Sequence, residues 1–219
     1  MAMEFDKFEF VWVTNRRLSE DFFADVRRVA QSGKADKILL RESDLPEHEY
    51  EKLARKTLEI IAECGSGARL ILHTHANVAS KLGVSEVHLP FAKFASMSGE
   101  RATNLRDLVK FDGASSDKNE APSICASNLT QKLKIGVSVH SLDQALSAQE
   151  LGADYVVAGH IFDTPSHALE QGRGLKFLRE ICENLSIKTY AIGGINFKNL
   201  SEIKQVGAAG AYMMRGFLG

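Results

Sequence analysis

The sequence predicts an α/β fold, a TIM (β/α)₈ barrel, from three observations. Eight short runs rich in valine, isoleucine and leucine recur along the chain, and each has about the length of a buried parallel strand. Helix-like stretches fill most of the gaps between these runs. Glycines stand before several of the runs, where a helix has to reverse into the next strand. This alternation favours a barrel, with an open doubly wound sheet as the alternative.

The predicted strands, in chain order, are FEFVWVT, KILL, RLILH, EVHL, KIGVSV, YVVAG, KTYAIGG and GAYMM. Two of the intervening helices have clear boundaries. One extends from Pro46 to Cys64, because proline suits a helix start and the apolar residues that follow share one face. The other begins after Ser141, with Gln144 placed as in a capping box, and closes at Gly152. These boundaries indicate repeated βα units.

Two places interrupt the alternation. The segment from Ser96 to Lys132 is long and polar and contains GASSDKNEAPS, which predicts a surface excursion around the fourth helix. After the predicted strand GAYMM only RGFLG remains, too short for a full helix, so we expect the last helix of the barrel to be short or missing. A chain of 219 residues with 44% hydrophobic content otherwise fits one domain spanning residues 1–219.

Composition and charge exclude several classes of protein. The 27 basic and 28 acidic side chains nearly cancel, so we expect neither a nucleic acid nor a membrane surface as partner. No apolar stretch approaches the length of about 18 residues that a membrane span needs. Three widely separated cysteines suggest a reducing compartment and argue against a structural zinc site. We therefore expect a cytoplasmic protein, and a homo-oligomer stays open.

In a barrel of this class the carboxyl ends of the strands carry the active site. Polar residues or glycines stand at most of the predicted strand ends: Arg41, His73, His140, His160, Gly193, Gly194, Arg215 and Gly216. Such barrels usually bind phosphate at the ends of strands seven and eight, because backbone N–H groups in glycine-rich turns can approach an anion closely. The last two strand ends therefore predict a phosphorylated ligand.

The stretch SVHSLDQALSAQELGADYVVAGHIFDT, together with GRGLKFL, YAIGGI and GAAGAYMMRG, resembles the thiazole tautomerases of thiamine biosynthesis. These TenI-like proteins are relatives of thiamine-phosphate synthase. The resemblance is dense from Lys134 to Gly216, and it is thinner but traceable through LLRE, LILHTHANVA and VHLP. It implies a TIM barrel, in agreement with the strand count.

Departures from the synthase pattern distinguish the two activities. The resemblance implies that the synthase holds Mg²⁺ with acidic residues and contacts pyrophosphate with a lysine. Its Asn-Asp pair corresponds here to His73 and Thr74, its lysine to His167, and Pro90 and Phe91 stand where an acidic residue is expected after VHL. Since Mg²⁺ prefers oxygen ligands, usually carboxylates, these departures favour a tautomerase without a metal or another cofactor.

The implied substrate is a thiazole phosphate carboxylate whose ring becomes aromatic by a proton shift. The catalytic histidine of the tautomerases maps onto His140, and an imidazole with a pKa of about 6.5 can take and return a proton near neutral pH. The alternative for His140 is a cap on the fifth helix. We expect phosphate binding by Gly193, Gly194, Arg215 and Gly216, and substrate contacts from Arg41, His73, His160 and Thr164.

Each of these assignments has an alternative. Arg41 either binds the substrate carboxylate or forms a surface salt bridge, and His160 either contacts substrate or makes structural hydrogen bonds. His73, His75 and His88 invite a metal site, but their spacing is not a strong zinc pattern. At the level of the whole protein, a transferase of the synthase kind and a non-catalytic barrel that binds a phosphorylated metabolite remain open.

Overall fold

The computed structural model describes residues 7–97, 133–165 and 169–218. Its strands form a closed barrel in which every neighbouring pair is parallel and follows chain order, and the last strand pairs with the first. This confirms the TIM barrel and excludes the open sheet. The strands are β1 Glu9–Val13, β2 Lys37–Leu40, β3 Arg69–His73, β4 Glu86–Pro90, β5 Lys134–Val139, β6 Tyr155–Gly159, β7 Lys188–Ile192 and β8 Gly210–Met213.

The helices pack outside the barrel wall. They are α1 Phe22–Ser32, α2 Glu47–Glu63, α3 Ala76–Leu82, α4 Phe91–Ser96, α5 Leu142–Glu150, α6 Gly174–Asn184 and α7 Leu200–Gln205. Gly33 and Gly83 end α1 and α3 in left-handed conformations, which confirms the role expected for the glycines before strands. The predicted excursion falls almost entirely on residues 98–132, outside the described residues.

The eighth repeat differs from the others, as the sequence predicts. After β8 the described chain forms only a short 3₁₀-helix, Arg215–Phe217. A cavity of about 340 Å³ lies between β1, α1 and this 3₁₀-helix, and its wall includes Trp12, Phe22 and Leu218. The indole Nε1 of Trp12 is buried, and it has no hydrogen-bond partner within the part of the chain that the structure describes. This cavity therefore lies beside the segment that follows β8.

Tyrosines and one ion pair fill the amino-terminal half of the barrel interior. The rings of Tyr155 and Tyr212 each pack edge-on against Tyr190, with centroid distances of 5.2 and 5.5 Å. Below them the Lys37 ammonium lies 3.0 Å from the Glu86 carboxylate, and both side chains are buried. A Cβ on Gly136 would lie 2.0 Å from the Tyr155 ring, so only glycine fits there. A functional site can therefore form only at the other end of the interior, where the strands have their carboxyl ends.

None of the described helices combines the length and hydrophobicity that crossing a membrane requires.

Candidate active site

His140 follows β5 at the carboxyl end of the barrel, and its side chain is exposed. Its Nδ1 lies 2.8 Å from the carbonyl oxygen of Gly159, at the end of the neighbouring strand β6. A carbonyl oxygen can only accept, so Nδ1 must carry the proton of this hydrogen bond. In the neutral imidazole Nε2 then has the free lone pair, which is the arrangement that a general base needs.

The cap of α5 does not involve the His140 ring. Ser141 is the N-cap, and its hydroxyl accepts from the Gln144 amide at 3.1 Å. The Gln144 side chain in turn accepts from the backbone N–H of His140 at 2.9 Å. The alternative in which the His140 imidazole caps this helix is therefore wrong, because Ser141 satisfies the helix terminus and the ring bonds to β6 instead.

Arg173 is a residue of this site that the sequence reasoning did not single out, although the motif GRGLKFL contains it. Its Nε donates to the Gly159 carbonyl at 3.1 Å, so the oxygen that holds His140 accepts from two side chains. The Arg173 backbone N–H also donates to the carbonyl of His160 at 3.0 Å. Arg173 thereby fixes the orientation of the carbonyl that orients His140.

His160 and Thr164 belong to the loop after β6. His160 is only 4% exposed, and its Nε2 lies 3.2 Å from the carbonyl oxygen of Glu170. This burial and this backbone contact agree with the structural alternative for His160. Thr164 is half-buried in the same loop, and His167, which the resemblance aligns with the synthase lysine, lies outside the described residues. Substrate contact by His160 and Thr164 stays a prediction.

Gly193 and Gly194 follow β7 with φ values of +101° and +64°. A Cβ on Gly193 would lie 2.3 Å from the Cβ of His160, and one on Gly194 would lie 2.6 Å from the Cβ of Phe162. Glycine is therefore required here because the loop after β6 crosses directly over the turn after β7. Gly216 lies in the C-terminal 3₁₀-helix beside the carbonyl of Ile195. Phosphate binding on this side of the barrel stays a prediction.

On the opposite side, His73 ends β3 and its ring stacks on that of His88 with a centroid distance of 6.1 Å. Burial, followed by the charge of Arg41, lowers the pKa of His73 to about 4. Burial lowers the pKa of His88 to about 3, and its Nε2 lies 2.7 Å from the Ser138 hydroxyl. Both imidazoles are therefore neutral near pH 7. Each also has a buried Nδ1 that lacks a hydrogen-bond partner among the described residues.

The turn after β3 is strained. Thr74 has a φ of +66°, which is rare for a β-branched residue, and the His75 amide donates back to the His73 carbonyl at 2.9 Å in a γ-turn. Two contacts hold this turn in place: the Thr74 amide donates to the His88 carbonyl at 3.0 Å, and Lys93 Nζ donates to the Thr74 carbonyl at 3.2 Å. Strain of this kind is concentrated at functional sites, which supports a role for this end of β3.

Thr74→Gly should raise the free energy of unfolding by about 1 kcal/mol, because relief of the strain exceeds the entropy that glycine adds to the unfolded chain. The measurement is urea unfolding followed by circular dichroism. Thr164→Gly is the matched control, since Thr164 does not have a positive φ and the change should only destabilise. Equal destabilisation by both substitutions would contradict the strain.

The family model described as thiamine monophosphate synthase matches residues 10–107 and 109–217. The chain belongs to the thiamine monophosphate synthase family. One similar relative is the putative thiamine-phosphate synthase 2 of Aquifex aeolicus, 27% identical over 199 residues that cover 90% of this chain and 91% of the relative. Another is the thiamine-phosphate synthase of Pyrococcus horikoshii, 28% identical over 214 residues that cover 98% and 88%.

Solved structures of the thiamine monophosphate synthase family have the same fold. The thiamine phosphate pyrophosphorylase of Pyrococcus furiosus superposes with a TM-score of 0.70 at 26% identity, covering 95% of this chain and 86% of that one. The Bacteroides thetaiotaomicron protein of the same name gives 0.56 at 19% identity over 95% and 83%, which supports the fold alone. The relation to thiamine-phosphate synthase expected from the sequence is confirmed, and its relatives are named as synthases rather than tautomerases.

The synthases of this family imply a Mg²⁺ ion, and the described carboxylates do not fit one. Glu42 follows β2 and is buried, accepting from the Thr14 hydroxyl at 2.7 Å and the Arg16 amide at 3.1 Å, and burial raises its pKa. Asp44 pairs with Arg16 and Arg17, and Asp163 accepts from the Gly172 amide at 2.7 Å. Across the described ranges no group of three or more metal-ligating side chains is arranged to hold an ion.

Proposed function

We propose that this member of the thiamine monophosphate synthase family is an isomerase of thiamine biosynthesis. It converts a non-aromatic tautomer of a thiazole carboxylate phosphate into the aromatic ring, with His140 as the group that moves the proton. The observation that carries the proposal is the hydrogen bond of 2.8 Å between His140 Nδ1 and the Gly159 carbonyl, because it leaves Nε2 as the basic nitrogen at an exposed position.

The proposed reaction needs only one imidazole. Nε2 of His140 takes a proton from the ring carbon that bears it in the substrate, and the electrons of that C–H bond enter the ring. The imidazolium keeps its Nδ1–H donation to Gly159, which is itself held by Arg173. Nε2 then returns the proton to a carbon outside the ring, to which the ring was joined by a double bond, so that this double bond shifts into the ring and the product is aromatic. General acid–base catalysis of this kind contributes roughly 10²–10⁴-fold to the rate.

The proposed substrate spans the barrel mouth, the opening formed by the carboxyl ends of the strands, and contacts two opposite sides of it. We place the phosphate beside Gly193, Gly194 and Gly216 at the ends of β7 and β8, because glycine-rich turns can offer backbone donors to an anion and Arg215 is exposed there. The carboxylate then lies toward Arg41 and His73, at the ends of β2 and β3. His160 and Thr164 border the ring between these sides in this proposal.

Thiamine-phosphate synthase is the second candidate, and the names of the relatives favour it over the isomerase. That reaction joins a pyrimidine pyrophosphate to thiazole phosphate, and the charge on the departing pyrophosphate is normally neutralised by a metal ion. The described carboxylates do not offer Mg²⁺ a site, which favours the isomerase. The two candidates therefore differ in their dependence on Mg²⁺.

Two parallel reactions test the proposal. In the first, the non-aromatic thiazole carboxylate phosphate is incubated with the protein in EDTA, and we expect the ultraviolet absorbance of the aromatic product to rise. In the second, pyrimidine pyrophosphate, thiazole phosphate and Mg²⁺ are supplied, and we expect no thiamine phosphate. Formation of thiamine phosphate would establish the synthase instead. No product in either reaction, with thiazole phosphate still bound, would indicate a non-catalytic barrel.

A further inference from the structure

Two cationic side chains flank the strained turn after β3. Arg41 follows β2 and Lys93 belongs to α4, and both are exposed. Lys93 Nζ donates to the Thr74 carbonyl at 3.2 Å, and the backbone of Arg41 is fixed by donation to the Thr14 hydroxyl at 3.0 Å. Among the residues that the structure describes, neither cation forms a salt bridge. Several other exposed lysines and arginines on this barrel do form salt bridges, for example Lys81 with Glu51.

His73 ends β3, the strand that lies between β2, which precedes Arg41, and β4, which precedes the helix of Lys93. Leu40 pairs with Leu72 in the sheet, so Arg41 stands beside His73 at the strand ends, and Lys93 contacts the carbonyl of the next residue, Thr74. Burial is the main reason that the pKa of His73 is lowered, and the charges of Arg41 and Lys93 lower it further. The His73 ring is 9% exposed, and its Nδ1 is buried without a partner in the described chain. A polar nitrogen that is buried without a partner needs an explanation, and a bound polar group supplies one.

We propose that Arg41, Lys93 and His73 form an oxyanion site that binds a carboxylate or phosphoryl group of the ligand directly, with the lysine cation serving where a synthase would use a metal ion. The inference rests on the proposed function, because it takes the ligand phosphate to lie on the other side of the mouth, at the ends of β7 and β8. The group bound by Arg41, Lys93 and His73 is then the second anionic group of the ligand, and Lys93 is the residue that selects for that group.

The chemistry of the side chains supports this assignment. A lysine ammonium has more N–H donors than the Thr74 carbonyl uses, and a guanidinium offers donors in a fork that matches a carboxylate or a phosphate. The neutral His73 adds a hydrogen bond without adding charge. Two unpaired cations would also repel a divalent metal ion. The same residues that make this end of the barrel unsuitable for Mg²⁺ therefore suit an anion.

The experiment measures binding by titration calorimetry in EDTA, with two stable aromatic probes: thiazole carboxylate phosphate and thiazole phosphate without the carboxylate. We expect the wild-type protein to bind the carboxylated probe roughly 10- to 100-fold more tightly, the range for hydrogen bonds to a charged group. Lys93→Met should abolish this preference. Lys176→Met is the matched control, because Lys176 is an exposed lysine on α6 that belongs to neither side of the proposed site.

Inorganic pyrophosphate in EDTA is a third probe, and it reports on the site without a thiazole. Tighter binding to wild type than to Lys93→Met, without a preference for the carboxylated thiazole, would assign the site to a phosphoryl group. Unchanged affinity of Lys93→Met for all three probes, or no binding of any probe to the wild type, would overturn the proposal. His140→Asn should keep the preference, so a failure of the proposed catalysis is distinguishable from a failure of this site.

Discussion

Replacing His140 by asparagine is expected to lower the rate of tautomerisation by roughly two to four orders of magnitude while the ligand still binds. The asparagine amide can donate to the Gly159 carbonyl as Nδ1 does, but it offers no basic nitrogen. Since His140 is exposed and caps nothing with its ring, the fold should tolerate the change. The measurement is the absorbance of the aromatic product, combined with a binding titration of thiazole phosphate.

His48→Asn is the control for this experiment, because His48 is an exposed histidine whose ring lies next to Glu49 on α2. It should leave turnover unchanged. Near-normal turnover in His140→Asn would show that His140 is not the base, and His160 would become the candidate despite its burial. A loss of thiazole phosphate binding together with turnover would instead assign His140 to substrate binding.

Lys37→Met should lower the free energy of unfolding by about 3–5 kcal/mol, the range for removing one partner of a buried ion pair. The side chains of Lys37 and Glu86 are 5% and 3% exposed, so the change leaves a buried carboxylate without its cation. Glu9, 3.5 Å from the same ammonium, loses part of its compensation as well. Urea unfolding measures the effect.

Two further variants make this stability prediction specific. Lys188→Met removes a lysine that lies 3.8 Å from Glu9 but is 41% exposed, so it should cost far less. Lys37→Met combined with Glu86→Gln removes both buried charges and should recover much of the loss. If Lys37→Met and Lys188→Met lowered the free energy of unfolding equally, the burial of the Lys37–Glu86 pair would not be what stabilises this end of the barrel.

Most of the barrel could be predicted because buried parallel strands are continuous apolar runs. KILL and KIGVSV begin and end in the structure at the residues predicted from the sequence. The N-cap at Ser141 could also be predicted, because serine followed by glutamine three residues later is a local capping-box pattern. These features depend on neighbours in the chain, and a sequence contains that information directly.

The contacts that define the candidate site could not be predicted from the sequence. The pairing of His140 with the Gly159 carbonyl depends on the register between β5 and β6, which no local pattern specifies. Thr74 adopts a left-handed conformation without being glycine or asparagine, so its γ-turn has no compositional signature. Lys93 resembles any other surface lysine until α4 brings it to the end of β3. Long-range geometry decides all three.

The tyrosine packing also determines which end of the barrel can receive a ligand. Tyr155, Tyr190 and Tyr212 are at most 3% exposed, and the Lys37–Glu86 pair lies beneath them at the strand starts. Side chains therefore fill the amino-terminal half of the interior, and a ligand reaches the described part of the barrel from the carboxyl ends of the strands. Because the substrate and the product of the proposed reaction both bind at that end, we expect the product to inhibit competitively with the substrate.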